Sequence, residues 1–319
     1  MKGTALVALL ALLALGPITT ARAETRTVKV ALASKVILDN LPIFVGMHMG
    51  FFNEVGQKIE PSYFPGGGAV VRAVSTRSVD IGGTVAASAT LIAAAQGEPL
   101  RIVSSGTAPL VGIVWVVPSD SPLQSIKDLK GKKAGFSTPG SVSHVALQAI
   151  LKDEGLDKDV QLVRVGTPGD SWAAIKNRVV DTGWHINPAV YELLLKKEAR
   201  ILFDAGKYIR VYQQTVVLAM EEVIRKDPEM IRNFLKARAK AVKFIWDEPE
   251  KTIAIWAEEL KLPVDAVRLA YRDLPRTVYE TGAPKPENLQ GTLNEVMDIG
   301  ALKQPVDLQK IVDPTLLPR

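Results

Sequence analysis

Cysteine is absent from all 319 residues. That excludes disulfides, thiolate metal sites, iron–sulfur clusters and thiol nucleophiles. Histidine is scarce too: the three, His48, His144 and His185, are too widely spaced to spell a metal site. No GxSxG, HExxH or Walker A pattern occurs. After residue 23 no apolar run approaches the roughly 18 residues that a transmembrane helix needs. A chain of this length without disulfides must hold itself together through its core, and it is long enough to do so. No catalysis, metal or cofactor is expected.

Strong charge is also missing. The formal net charge is +5, from 39 basic and 34 acidic residues. Without Lys2 and Arg22 the basic count falls to 37 against 34, or +3. Basic residues such as those between Arg225 and Lys243 interleave with apolar ones. They read as solvated helix faces, so no nucleic-acid partner is expected. A weak positive field would slightly favour the approach of an anion.

Residues 1–23 read as a secretory signal peptide. Lys2 supplies a positive start, Ala5 to Leu15 an apolar run too short to span a bilayer, and Ala21-Arg22-Ala23 a small-x-small cleavage site. An uncleaved anchor is the alternative. No cysteine follows to carry a lipid, so a freely diffusing periplasmic monomer is expected.

What the chain does have is a repeat. Gly68 to Gly82 aligns without a gap on Gly169 to Gly183, 101 positions on. Gly68, Ala73, Arg77, Val79, Asp80 and Gly82 match Gly169, Ala174, Arg178, Val180, Asp181 and Gly183. Each copy reads as Gly-led loop, short helix, basic corner, short strand and Gly turn. Asp and Gly are common turn residues, so chance is the competing explanation. Two copies otherwise suggest two similar α/β lobes with a ligand cleft between them.

The remaining pattern fits. Strands are expected at Val28–Ala33, Lys58–Phe64, Ser78–Ile81 and Arg101–Ser104, alternating with helices that open at Pro42, after Gly68 and at Ala86. Val111 to Val117 is a continuous apolar run, as in a strand buried on both sides. Pro118 to Pro122 breaks it, and strand–helix alternation resumes at Lys133. Val216 to Met220 reads as the return strand, and Asp227-Pro228-Glu229 as a helix start. Lobe one is therefore expected at 24–117 plus 216–319 and lobe two at 118–215. Two crossings make a two-segment hinge that closes around a ligand.

Four strand-to-helix turns carry suitable binding chemistry. In the first, Ser34 and Asn40 can hydrogen-bond a ligand, while Asp39 would repel an anion. In the second, Gly67 and Gly68 let backbone N–H groups approach a ligand, or simply make a tight turn. The third pairs Thr84, with Ser88 behind it, against His185 beside Trp184. The 101-residue offset places Thr84 and His185 at equivalent points facing each other, and Trp184 could stack on a planar or alkyl group. A structural imidazole is the alternative for His185. The fourth contains Ser137, Thr138, Ser141, Ser143 and His144 at a helix start. Free N–H groups and hydroxyls there suit a carboxylate or sulfonate, and capping alone is the competing role. A protonated His144 would add charge. Lys35 is the best-placed cation, although a solvated lysine is the plainer reading.

Several segments carry a family resemblance: Leu41 to Phe52, Val79-Asp80-Ile81-Gly82, Gln96-Gly97-Glu98-Pro99, Asp128 to Lys133 and Asp227-Pro228-Glu229. Their pattern resembles the nitrate/sulfonate/taurine and thiamine-precursor solute-binding proteins of ABC importers, in order along the whole chain after residue 23. The resemblance implies a type II periplasmic-binding fold, a small-molecule ligand in the cleft and an inner-membrane ABC permease that receives it. It also implies ligand contact at the Ser141 turn. A small organic anion, sulfonate or carboxylate, is the expected ligand. A neutral planar heterocycle such as a pyrimidine precursor, or a sensory ligand-binding module, is the alternative. The resembled group has a pyrimidine-synthesising branch, but it uses a cysteine-rich motif inside cells; absent cysteine and a signal peptide argue against it here.

Overall fold

The computed structural model describes residues 25–318; the expected signal peptide lies outside them. Ten strands are present in these residues: β1 (Arg26–Ala33), β2 (Gln57–Phe64), β3 (Ile81–Ala86), β4 (Leu100–Thr107), β5 (Ile113–Pro118), β6 (Lys133–Phe136), β7 (Gln161–Arg164), β8 (Thr182–Ile186), β9 (Ala199–Asp204) and β10 (Thr215–Met220). They form two five-stranded sheets with the orders β2-β1-β3-β10-β4 and β7-β6-β8-β5-β9. In the first, β1 runs parallel to β2 and β3, and β10 runs antiparallel to β3 and β4. In the second, β6 runs parallel to β7 and β8, and β5 antiparallel to β8 and β9.

The two sheets therefore share one pattern, and each takes its antiparallel strand from a chain segment arriving from the other. This corrects the first crossing. The strand expected at Val111–Val117 in lobe one is β5, and it lies inside the second sheet between β8 and β9. Trp115, Val116 and Val117 are fully buried there, the environment that a continuous apolar run requires. Trp115 stacks on Phe203 at 4.9 Å and donates its indole N–H to Gly135 O. The chain leaves the first sheet after Thr107, enters the second at Ile113, and returns between Asp204 and Thr215.

The repeat exists in three dimensions. The helices Gly67–Ser75 and Pro168–Lys176 lead into β3 and β8, the third strand of each sheet. Between helix and strand, Arg77 and Arg178 both adopt left-handed backbone, at φ 58° and 57°. The strand expected from Ser78 begins only at Ile81. Residues 77–80 instead complete the turn, where Ser78 N–H and its hydroxyl both donate to Ala73 O.

The C-terminal helices cover the first sheet. Asp227 caps the helix Pro228–Asp247 by accepting the Met230 N–H at 2.9 Å, with Pro228 in the first turn. Phe234 on this helix packs on Phe52 at 5.4 Å, and Ile231, Phe234 and Ile245 are fully buried. The proline-punctuated tail returns to β4, where Asp313 N–H donates to Ile102 O.

The lobes touch on both sides of the cleft. On one side Ser88 Oγ donates to Gly140 O at 2.8 Å. On the other, Asn187 Nδ2 donates to Ala270 O and the Tyr191 hydroxyl to Asp273. This is a closed arrangement.

Candidate functional site

Closure leaves a cavity of about 50 Å³ between the sheets. At about 10–15 Å³ per water-sized group, that holds only a handful of heavy atoms. Its walls come from both lobes and from both crossings: Ser34 after β1, Gly67 before β3, Ser137 after β6, Trp184 in β8, and Gln214 and Thr215 entering β10.

Two helices point their N-termini at it from opposite lobes. The helix Val142–Asp153 starts at Ser141, whose hydroxyl accepts the His144 N–H at 3.2 Å. Its first N–H groups, on Val142 and Ser143, have no carbonyl a turn back within the helix, and both residues line the cavity. Across from it, the helix Gly67–Ser75 starts after Gly66 with no side-chain cap. Both ends carry partial positive charge.

Ser137, Ser141 and Ser143 line the cavity as a hydroxyl triangle. Their oxygens stand 2.7 Å (137–141), 2.9 Å (137–143) and 3.2 Å (141–143) apart. Ser141 Oγ accepts from Ser137 Oγ and from the His144 N–H. Its own proton is left for Ser143 or for a ligand oxygen.

Of the residues expected from sequence, Ser34, Gly67, Ser137, Ser141, Ser143 and Trp184 line the cavity. The others stand behind it. Asn40 is fully buried and works as a brace: Nδ2 donates to Ala33 O, Ser34 O and Lys35 O, and Oδ1 accepts the Thr84 hydroxyl. Thr84 also accepts the Ala33 N–H, so the pair fixes the Ser34 turn. Ser88 is spent on its bond across the lobes. Thr138 is buried, and its hydroxyl has no hydrogen-bond partner. Gly66 and Gly68 are contact points between lobes: a Cβ on Gly66 would stand 2.5 Å from Thr138 Oγ1, and one on Gly68 2.7 Å from Pro139 O.

The histidine expectations change. Successive side chains of β8 point to opposite faces; Trp184 and Ile186 line the cavity, so His185 points away and does not face Thr84 across it. Burial lowers the His185 pKa to about 4, and its Nδ1 accepts the Ile186 N–H. His144 accepts the Gly140 N–H through Nδ1 and packs on Phe136 at 4.4 Å. Burial lowers its pKa as well, so it supplies no charge at neutral pH. Lys35 pairs with Glu259 at 2.9 Å and does not line the cavity.

Asp39, expected in the first turn as a group that would repel an anion, lines the cavity, and so do Gln214 and Thr215, which were not anticipated as wall residues. Asp39 sits in the short turn Leu38–Asn40, is buried, and accepts from Gln214 Nε2 and Thr215 Oγ1 at 3.2 and 3.1 Å. Desolvation pushes its carboxyl pKa up, against the pull of those hydrogen bonds. Among the described residues no Lys, Arg or His lines the cavity. Gln214 and Thr215 follow the second crossing, and nothing local in sequence sets them beside Asp39.

Two lobes of matched topology, joined by two crossings and closed over a small cavity, define a periplasmic-binding-protein fold. The chain belongs to the family described as NMT1/THI5 like, which matches residues 38–252. Among curated proteins it is 29% identical over 265 residues to an Escherichia coli K12 protein named as an aliphatic sulfonates-binding protein, covering 82% of this chain and 81% of that one. It is 27% identical over 234 residues to the Saccharomyces cerevisiae 4-amino-5-hydroxymethyl-2-methylpyrimidine phosphate synthase THI11, covering 69% and 66%. Among solved structures, the alkanesulfonate-binding protein SsuA of Xanthomonas axonopodis pv. citri, bound to MOPS, superposes with TM-score 0.79 at 21% identity, over 91% of this chain and 99% of that one. The nitrate-binding protein NrtA of Synechocystis PCC 6803 superposes with TM-score 0.73 at 15% identity, over 92% and 87%. The likenesses to the solved structures establish the fold.

Proposed function

We propose that the protein is the periplasmic substrate-binding component of an ABC importer and captures a small organic anion, a sulfonate or carboxylate, in the interlobe cavity. It acts without catalysis and delivers the ligand to an inner-membrane permease. The observation that carries this reading is the Ser141 turn. Three serine hydroxyls and the N–H groups that open a 12-residue helix line one wall of the cavity, with the N-terminus of a second helix opposite. Such an array offers donors and partial positive charge to an oxyanion without a basic side chain. The sulfonate-binding relatives support the same ligand class.

The expected signal peptide supports a periplasmic location. The small closed cavity limits the captured group to a compact head, with any longer chain directed out between the lobes.

A neutral planar heterocycle is the second reading. Trp184 lines the cavity with its indole N–H held by Gly166 O at 3.1 Å, and the wall contains no cation. The ring is thereby fixed as a stacking surface.

A thermal-shift screen against sulfonates, carboxylates, nitrate and pyrimidines separates the two. A ligand at 100 times its dissociation constant adds about 2.7 kcal/mol. For a chain of this size that raises the melting temperature by roughly 5–10 °C. A shift confined to one anion class supports import of that class; a shift with pyrimidines alone overturns the anion reading.

A further inference from the structure

The helix Pro286–Asp298 carries a glycine in its middle, Gly291. Glycine weakens a helix interior, because its backbone has more freedom to lose on folding. Here a close approach requires it. A Cβ on Gly291 would overlap the Val211 carbonyl oxygen and stand 2.9 Å from the carbonyl carbon. Val211 belongs to the second crossing, so a helix of lobe one lies directly against a segment that joins the lobes. The same helix also reaches lobe two, where Lys152 Nζ donates to Asp298 O at 2.6 Å.

The second crossing is fastened at both ends and unbonded between them. At the lobe-one end, the Gln213 N–H donates to Asn288 O at 3.0 Å and to Thr292 Oγ1 at 2.8 Å, and the Thr292 hydroxyl donates to Gln213 O. Gln213 Nε2 donates to Ser105 Oγ and Thr107 O at the end of β4. At the lobe-two end, the Tyr208 and Ile209 N–H groups both donate to Ala205 O, just after β9. Among the described residues no backbone hydrogen bond is made by Arg210, Val211 or Tyr212. Tyr212 is anchored by full burial, whereas Val211 is 51% exposed. The piece able to bend is therefore Arg210–Val211. The first crossing is built alike: Pro109 and Leu110 make no backbone hydrogen bond, and a Cβ on Gly206 would stand 2.6 Å from Leu110 O.

We propose that the second crossing bends at Arg210–Val211 and that Gly291 is the surface it turns against, so that a side chain at 291 arrests closure. Closing seats the Val211 carbonyl on the helix, in the space that a Cβ would fill. Opening lifts it away, so the same Cβ costs the open form little. Gly291 touches no ligand; it governs how readily the lobes close.

Closure can be trapped without any ligand, because the chain has no cysteine of its own. A Cβ on Gly66 would stand 3.5 Å from Thr138 Cβ in the facing lobe, at the short end of the roughly 3.5–4.5 Å that a disulfide spans. Gly66 has extended backbone, φ 174°, which any residue adopts. With Gly66→Cys and Thr138→Cys together, a disulfide forms only when the lobes close, and its rate under mild oxidation reads the closed population. Adding Gly291→Ala is expected to slow trapping about 10-fold. The melting temperature of the reduced protein should stay within about 2 °C. Gln290→Ala, an exposed position on the same helix, should leave the rate unchanged. Val211→Gly loosens the pivot and should speed trapping. Unchanged or faster trapping in Gly291→Ala overturns the inference. Equal slowing in Gln290→Ala also overturns it, by assigning the effect to the helix as a whole. Should Gly291→Ala fold poorly, an unchanged rate in Val211→Gly overturns the inference alone.

Discussion

Asp80 and Asp181 play the same part 101 positions apart. Asp80 Oδ2 accepts the Lys29 N–H at 2.8 Å while its own N–H donates to Lys29 O at 2.9 Å. Asp181 does both with Lys133, at the same distances. Each aspartate ties the foot of a central strand to the neighbouring parallel strand. Asp80→Ala and Asp181→Ala should each cost about 1 kcal/mol, because each removes one partly exposed charge-assisted hydrogen bond. The residues sit in different lobes, so the losses should add in the double variant. Urea denaturation of the four proteins measures this; a double variant much less stable than the sum would mean that the two lobes are coupled through these sites.

Asn40→Ala should destabilise more than either aspartate change. It removes the Nδ2 donations to three carbonyls and frees the Thr84 hydroxyl in a fully buried place. A cost of about 2–3 kcal/mol is expected from several lost bonds and newly unpaired buried groups. Ligand affinity should fall as well, because Ser34 loses its brace. Thermal melts and titrations on the same sample read both effects.

Ser141→Ala tests the helix start. The loss of the cap to the His144 N–H should cost about 1 kcal/mol of stability. Anion affinity should drop about 10-fold, corresponding to one charge-assisted hydrogen bond. Ser141→Thr keeps the hydroxyl and should recover the stability. A variant that loses stability but binds unchanged would reduce Ser141 to a cap.

Gly68→Ala should separate folding from closure. Alanine is the better helix former at this first-turn position. Its Cβ, however, would stand 2.7 Å from Pro139 O of the facing lobe. Unliganded stability should hold, while affinity falls and the compaction seen by small-angle scattering on ligand addition shrinks. Unchanged compaction would mean that the contact yields without cost.

His185 sets an acid limit. Its folded pKa is depressed by burial from 6.5 to about 4. In the unfolded chain the imidazole takes up a proton near 6.5, and in the folded one only near 4. The stability from keeping it neutral is thus fully present above pH 6.5 and is lost as pH falls toward 4. The whole effect is about 3 kcal/mol. His185→Gln should flatten the stability profile in that window, as measured by denaturant midpoints at successive pH values. A parallel profile would assign the acid sensitivity to other groups.

The local grammar was readable in the chain. The Asp227 cap, the Gly-led helices and the repeated Arg-x-x-Asp corner all stand where their residue types predict. Each depends on contacts within a few positions, and backbone preference and side-chain capping act over that range. The serine-rich helix start was legible as a binding element for the same reason.

Other features required the folded chain. An apolar run such as Val111–Val117 announces burial on both faces but not which sheet supplies the neighbours; pairing with β8 and β9 decided that. The orientation of His185 away from the cavity follows from the strand's two-residue period and from which face meets the cleft. Asn40, Thr84 and Ser88 have the chemistry of ligand contacts, and packing turned them into braces and a latch. Asp39, Gln214 and Thr215 meet only because the return crossing brings residues about 175 positions apart into hydrogen-bond range. Sequence alone determined two similar α/β lobes and the helix-start chemistry, because both are written in short-range pattern. The polarity of the cavity was decided by tertiary structure, because a buried carboxylate's role depends on which distant groups surround it.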